Sequence, residues 1–416
     1  MSRILNLVKT HYNKAASMCN LNPKVYDILA QPKNEIKMNF PVKLSDNSLK
    51  VFSGFRVQHN DILGPYKGGL RFFPNVSLDE SSALASWMTL KCSLQGLPFG
   101  GGKGGLDINP NDYNEEDLQR ITRAFARELY PYIGNHKDIP APDVGTNAQI
   151  MDWMVDEYNV LSGNDPLKSN MKSVFTGKSI EMGGSQGREE ATGRGVALNI
   201  IEWSKNKNIE LKGKSFIVQG FGNVGYYTSS ILSSLGMSLI GVGDHTGYLH
   251  SSEGFNVHKL KKHNDLNKSL EGYGAGKKIS KEEFFKIETD IVIPAALELQ
   301  IGKEEAENMK CQLVVEAANG PIDTEGDEIL LEKGVDIIPD ILANSGGVEV
   351  SYYEWLQNKS DEYWSKDKVQ VKLENKMMKT FDEVYILAKT MNCDLRTASY
   401  IHALRRLEKN YLRRGI

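Results

Sequence analysis

The chain is poor in the residues that would tie it to a metal, a membrane or an oxidising compartment. Its four cysteines, Cys19, Cys92, Cys311 and Cys393, lie far apart and form no CxxC pair. Neither a disulfide framework nor a thiolate metal site is indicated, and reduced thiols in a cytoplasmic protein are expected. The eight histidines include no HxxxH or HExxH spacing, which leaves a metal centre without sequence support. No apolar run nears the roughly 18 residues of a membrane span, and the apolar stretch at the start is too short for a signal peptide. A net charge of −3 lacks the excess of one sign that draws nucleic acid or a membrane surface. What is left is a chain of 416 residues, 40% hydrophobic and 25% charged, long enough for two globular domains.

Glycine, by contrast, is plentiful, and the chemistry gathers where it clusters. Lys103 sits in Gly100-Gly101-Gly102-Lys103-Gly104-Gly105, which reads as an open loop where a substrate can approach the backbone. A free lysine titrates near 10.4; a dry site with neighbouring cations would lower that value and make Lys103 a base near neutral pH. Walker A chemistry is excluded, because position 97 is leucine and Gly104 follows the lysine where Ser or Thr is required. A flexible turn with an incidental lysine is the competing explanation. A second cluster, Gly64-Pro65-Tyr66-Lys67-Gly68-Gly69-Leu70-Arg71-Phe72, offers Lys67, and Lys91 follows. Each can fix a carboxylate as a point charge, or each is an ordinary surface lysine. Ile139-Pro140-Ala141-Pro142-Asp143-Val144-Gly145-Thr146 places Asp143 in an apolar loop, where burial suits it to carry protons; the alternative is a turn or cap acid.

Hydrophobic patterning divides the chain near residue 185. Before it, helical spacing over the first 20 residues and over 79–96 brackets two alternating strand-like runs, 36–42 and 50–59. Asn114, ahead of Glu115, Glu116 and Asp117, is positioned to cap another helix. After residue 185, strand, glycine-rich turn, helix and strand follow in order, with further buried-strand candidates at 290–294, 313–316 and 335–339. That alternation predicts a parallel doubly wound sheet, hence an α/β protein. The turn is Gly220-Phe221-Gly222-Asn223-Val224-Gly225, with Asp244 nineteen residues past Gly225. GxGxxG alone is weak, but between a strand and a helix it reads as a dinucleotide fingerprint. A kinase glycine loop is disfavoured by the helix-like segment that follows. Asp244 would bind the adenosine ribose and repel a 2′-phosphate, favouring NAD over NADP; otherwise it caps the turn before His245-Thr246-Gly247. Lys259, Lys261 and Lys262 either neutralise a 2′-phosphate or form a solvated helix face. The last 60 residues read as helices.

GPYKGGLRF, MTLKCSLQGLPFGGGKGG, IPAPDVGT, GREEATGRGV, GFGNVG, IPAALELQI, EAANGP and NSGGVEVSYYEW occur here in succession. The chain thereby resembles the glutamate dehydrogenase family over nearly its whole length. The resemblance implies a substrate and oligomerisation domain at 1–185, completed by a C-terminal helix at 391–416, and a Rossmann-type dinucleotide-binding domain at 186–390. It implies a homohexamer that interconverts L-glutamate with 2-oxoglutarate and ammonium using NAD or NADP. By the same resemblance Lys91 would bind the α-carboxylate, and Lys67 and Ser351 the γ-carboxylate. Lys103 would activate water against an imine carbon, and Asp143 would exchange a proton with the substrate nitrogen. Thr192 and Asn344 would orient the nicotinamide carboxamide, Asn319 would approach the ribose, and Arg188 would sit near the domain hinge. Three positions depart from the family pattern: Ser345 for alanine, Leu299 for asparagine in IPAALENQI, and Asp61-Ile62-Leu63 before Gly64. Sister enzymes for leucine, valine or phenylalanine replace the γ-carboxylate lysine and serine with apolar residues, so Lys67 and Ser351 favour glutamate. A silent dinucleotide-binding scaffold is the remaining alternative, and its expected mark, loss of Lys103 or Asp143, is absent.

Overall fold

The computed structural model describes residues 3–163 and 171–416. They form two compact units, neither of them continuous in sequence. The first holds residues up to Arg188 together with Val348–Gln370 and Ala403–Ile416; the second holds Glu189–Gly347 and Val371–His402. The division differs from the sequence expectation at three places: 186–188 and 348–370 lie in the first unit, and 391–402 in the second.

The first unit is built on a five-stranded sheet of β1 (Asn34–Lys43), β2 (Leu49–Asn60), β3 (Tyr66–Phe72), β4 (Gly101–Leu106) and β5 (Asp138–Pro142), in the order β1-β2-β4-β3-β5. Alternating residues of β1 are buried and exposed along its second half, as its period of two requires for an edge strand with one wet face. β2 pairs antiparallel with β1 and β4, whereas β3 runs parallel to both β4 and β5. A core of Phe40, Phe52, Phe72, Phe125 and Leu129 fills the space between the sheet and the helices Glu115–Leu129 and Ala148–Ser162. Asn114 does cap the first of these, accepting from the Asp117 N–H.

The glycine run around Lys103 is not an open loop. Gly101–Leu106 is a fully buried strand, hydrogen-bonded on both edges. Its glycines serve close packing: a Cβ on Gly101 would lie 2.2 Å from Thr89 Oγ1 of the helix Leu78–Leu94, and one on Gly105 would lie 1.8 Å from the Arg71 carbonyl oxygen. Gly68 of β3 is equally constrained, 1.6 Å from the Gly102 carbonyl oxygen. The sheet and helix can approach this closely only because side chains are missing.

Why 348–370 joins the first unit is visible in its apolar face. Val348 and Trp355 of the helix Gly346–Ser360 pack with Cys92, Leu97, Phe99 and Ile139. The C-terminal segment buries Leu404 and Leu407 and adds polar contacts. Arg406 donates to the carbonyls of Cys92, Ser93, Gly96 and Leu97, Glu408 accepts from the Asn22 N–H, and Asn60 donates to Tyr411.

In the second unit β6 (Ser215–Gln219), β7 (Ser238–Asp244), β8 (Gly247–His250), β9 (Lys277–Ile279), β10 (Ile291–Pro294), β11 (Leu313–Val315) and β12 (Asp336–Ile338) form one sheet in the order β12-β11-β10-β6-β7-β8-β9. The five strands from β12 to β7 are parallel, while β8 and β9 continue antiparallel. β6 has β7 on one side and β10 on the other, so the strand order reverses there, the point at which such sheets bind ligands. Two-domain α/β architecture with a doubly wound second sheet is therefore present as expected.

Candidate active site

In the first unit three strands bring charge to one place. Lys103 of β4 donates to Asp143 Oδ1 at 2.8 Å, and Arg71 of β3 donates through Nε to Asp143 Oδ2 at 2.8 Å. Arg71 also pairs with Glu80. Asp143 lies just past β5, in a turn fixed by its own N–H donating to Thr146 Oγ1 and by Thr146 donating to the Leu70 carbonyl. Gly145, with φ of +74°, has its Cβ position 1.9 Å from the Phe72 carbonyl oxygen, so the turn admits no side chain there. Burial alone would push the Asp143 carboxyl up, but Lys103 and Arg71 outweigh it and hold the carboxyl far below the usual range. Lys103 thus faces an anion directly, with the Arg71 cation on that carboxylate's other oxygen. Arg71 was legible only as part of a motif; its partner became visible when β3 and β5 paired.

Lys67, also on β3, is in the opposite situation. It is 1% exposed and makes no ion pair among the described residues. Burial, followed by the nearby charge of Arg188, lowers its pKa to about 7. Arg188 is half-buried, its desolvation lowers its pKa, and its buried Nε has no partner among the described residues. Glu354 is the anion that acts on both, yet it is already occupied. It accepts from Lys178 Nζ at 2.7 Å and from the N–H groups of Gly177 and Lys178. Ser351, 2% exposed, precedes Glu354 by three residues on the helix Gly346–Ser360. Lys91, in the last turn of the helix Leu78–Leu94, joins this group: its charge and that of Lys67 both act on the buried Cys92 thiol, whose pKa burial pushes up to about 12.

The second unit presents a dinucleotide-shaped cradle after β6. Gly220 has φ of +99° and a Cβ position 2.6 Å from the Ala295 backbone, and a Cβ on Gly225 would lie 2.0 Å from the Gly220 carbonyl oxygen. Gly222 differs: nothing lies within 4 Å of its Cβ position, although it caps the helix Asn223–Ser234 with no side-chain hydrogen bond. A helix N-terminus with free N–H groups and an open approach fits a pyrophosphate. Phe221 is buried and Asn223 and Val224 form the first helical turn. Gly193 packs on this helix, its Cβ position 2.9 Å from the Val224 carbonyl oxygen, which sets Thr192 alongside the cradle. Asn344 donates to the carbonyls of Ala317 and Ala318 and to Asn319 Oδ1, so Asn319 and Asn344 are in contact. Asp244 caps its turn: Oδ1 accepts from the Thr246 N–H and hydroxyl, and Oδ2 from the Leu270 N–H.

A family model described as Glutamate/Leucine/Phenylalanine/Valine dehydrogenase matches residues 183–415, and one described as the dimerisation domain of Glu/Leu/Phe/Val dehydrogenase matches residues 32–160. The chain belongs to the Glu/Leu/Phe/Val dehydrogenase family. Within this family it is 42% identical to an NAD-specific glutamate dehydrogenase of Clostridioides difficile over 99% of this chain and 98% of the relative. It is 43% identical to a glutamate dehydrogenase of Thermotoga maritima, over 97% and 96%. Among solved structures, a hetero-hexameric glutamate dehydrogenase of Thermus thermophilus in a leucine-bound form superposes with a TM-score of 0.94 at 32% identity, covering 99% of this chain and 97% of that one. The glutamate dehydrogenase of Peptoniphilus asaccharolyticus gives 0.85 at 40% identity, covering 99% of each.

The departures from the family pattern have local explanations. Leu299 adopts φ of +54° and donates its N–H to the Gly320 carbonyl; asparagine tolerates that left-handed conformation better than leucine does. The Ser345 hydroxyl is buried, donating to the Leu342 carbonyl and lying 3.5 Å from Met377 Sδ. Asp61 pairs with Lys33 on the surface.

Proposed function

We propose that the protein catalyses the reversible reaction L-glutamate + NAD⁺ + H₂O → 2-oxoglutarate + NH₄⁺ + NADH + H⁺. The observation that carries glutamate over an apolar amino acid is the pairing of buried Lys67 with half-buried Arg188, whose shared anion Glu354 is already satisfied by Lys178. An apolar side chain would leave both charges desolvated without a counter-ion, which is costly; a γ-carboxylate supplies one. Ser351 donates the accompanying neutral hydrogen bond, and Lys91 takes the α-carboxylate.

Lys103 and Asp143 carry the proton chemistry. In the free protein they neutralise each other. Entry of the substrate ammonium beside Asp143 competes with Lys103 for that carboxylate. Breaking the contact acts on both partners: Lys103 loses the anion that stabilises its ammonium, and Asp143 loses one of the two cations that keep it ionised. Asp143 then accepts a proton from the substrate nitrogen, and Lys103, having given its ammonium proton to solvent, deprotonates the water that attacks the imine carbon. NAD would supply the hydride acceptor, and Gly220, Gly222 and Gly225 would hold its pyrophosphate, Asn319 its ribose, and Thr192 and Asn344 its carboxamide. NAD rather than NADP follows the NAD specificity of relatives such as that of Clostridioides difficile; the Asp244 carboxylate at the end of β7 adds negative charge near a 2′-phosphate even while it caps its turn. The working assembly is a homohexamer in the cytoplasm.

Initial rates at 340 nm with glutamate or leucine, each with NAD⁺ or NADP⁺, test this reading. The expected order is glutamate with NAD⁺ first, and a preference for leucine would overturn the substrate assignment. Lys103→Ala should abolish turnover and leave NADH binding intact; equal loss of both would assign β4 a structural role only.

A further inference from the structure

A third concentration of buried charge lies in the second unit, around Arg396. Its guanidinium donates through Nη1 and Nη2 to both oxygens of Glu316, at 2.7 and 2.9 Å, and through Nε to Asp327 at 3.0 Å. Arg396, Glu316, Asp327 and Asp340 are all at most 6% exposed, and Asp340 acts electrostatically on both Arg396 and Glu316. One guanidinium among three buried carboxylates leaves excess negative charge, which backbone N–H groups must compensate. They do so at particular places. Asp340 Oδ2 accepts from the Gly320 N–H at 2.9 Å, Asp340 Oδ1 from the Ile341 N–H at 2.7 Å, and Glu316 Oε2 from the Asp340 N–H at 2.9 Å.

The hydrogen bonds therefore run from Arg396 through two acids to the backbone that carries both asparagines. Glu316 ends the segment that leads to Asn319, and Gly320 immediately follows it. The Gly320 peptide is held on its N–H by Asp340 and on its carbonyl by the Leu299 N–H. Asp340 opens the short helix Asp340–Ala343, and the Asn344 N–H donates to its carbonyl at 3.1 Å. We propose that Arg396, with Glu316 and Asp340, is a positioning unit for Asn319 and Asn344. It sets the affinity for the nicotinamide half of the dinucleotide without touching the ligand. This rests on the assignment of those asparagines to the nicotinamide end. If the cluster only pinned the helix Leu395–Arg413 to the sheet, its disturbance would weaken the whole unit, and the adenosine half of the site with it.

The test compares NADH with ADP, which keeps the adenosine and pyrophosphate but lacks the second ribose and the nicotinamide, on the full-length protein. Arg396→Lys removes the fork that spans both Glu316 oxygens. Glu316→Gln retains the side-chain shape and the Arg396–Asp327 contact, and serves where the arginine variant does not fold. Either folded variant should bind NADH about tenfold more weakly, the loss of roughly one hydrogen bond. ADP affinity should stay within about twofold, and kcat/KM for NAD⁺ should fall with KM for glutamate at saturating NAD⁺ unchanged. Equal weakening of both ligands, or of neither, would overturn the positioning role. Equal affinity of the unaltered protein for NADH and ADP would instead remove the assignment of Asn319 and Asn344.

Discussion

Lys67 is a buried ammonium waiting for an anion, and that condition has a sign. With its pKa lowered to about 7 against an ordinary 10.5, the side chain in the free protein is mostly neutral at pH 8. A bound γ-carboxylate stabilises the ammonium and raises the pKa, so binding at pH 8 takes up a proton. Affinity for glutarate, a substrate-like dicarboxylate without the amino group, should be highest below pH 7 and should decline as pH rises above it. Calorimetry in buffers of different ionisation enthalpy measures the uptake, and a buffer-independent heat at pH 8 would refute it. The same shift makes the ligand-free fold gain stability from this group as pH rises from about 7 to about 10.5, because the unfolded chain holds the proton more tightly. Leu299 provides a prediction of another kind. A leucine at φ of +54° costs about 1 kcal/mol, so Leu299→Asn should raise the urea midpoint with an unchanged slope. A lower midpoint would mean that the leucine side chain earns its place by packing. Neither effect was legible in the sequence. Lys67 stood out from its motif, but which lysine would be neutral depended on whether a carboxylate stood beside it, and that depended on strand pairing. Lys103 met Asp143; Lys67 met Arg188.

At the scale of elements, glycines separate into those the protein's own backbone requires and those it does not. Gly225 has no room for a Cβ, which would lie 2.0 Å from the Gly220 carbonyl oxygen, whereas Gly222 faces open space at an ordinary φ of −79°. Gly225→Ala should therefore lower both the unfolding midpoint and NADH affinity. Gly222→Ala should leave the midpoint unchanged and weaken NADH binding by about tenfold or more, because only the ligand needs the vacant volume. A Gly222→Ala protein that bound NADH normally would sever the cradle from the dinucleotide. The fingerprint, its strand and its helix could be recognised from spacing, since the strands of a parallel sheet are continuous apolar runs. The run around Lys103 was misread as a loop because glycine has low strand propensity. Its use as close-packed strand is a tertiary effect, set by β2, β3 and the helix Leu78–Leu94 around it. Asp244 shows the same limit: its position at the end of β7 was predictable, while its bond to Leu270, from a loop 26 residues later, was not.

At the scale of the molecule, the chain builds its first unit from three separated stretches, so parts of the substrate site depend on residues far away in sequence. Lys91 sits in the last turn of the helix Leu78–Leu94, where carbonyl groups are left without intrahelical partners. Arg406, returning more than 300 residues later, supplies donors to four carbonyls at and just beyond that end, those of Cys92, Ser93, Gly96 and Leu97. A cation at a helix C-terminus also opposes the helix dipole favourably. Arg406→Ala removes these donors together and should destabilise the first unit by about 2 kcal/mol, the range for hydrogen bonds to a charged group. Because the freed turn carries Lys91, KM for glutamate should rise while NADH affinity, a property of the second unit, stays constant. Arg406→Lys keeps the charge but cannot reach four carbonyls, so it should restore stability only in part. Denaturation midpoints read alongside glutamate KM and NADH binding for the two variants distinguish the outcomes. A fall in NADH affinity matching the rise in glutamate KM would mean that the C-terminal segment supports both units alike, and that Lys91 has no special dependence on it.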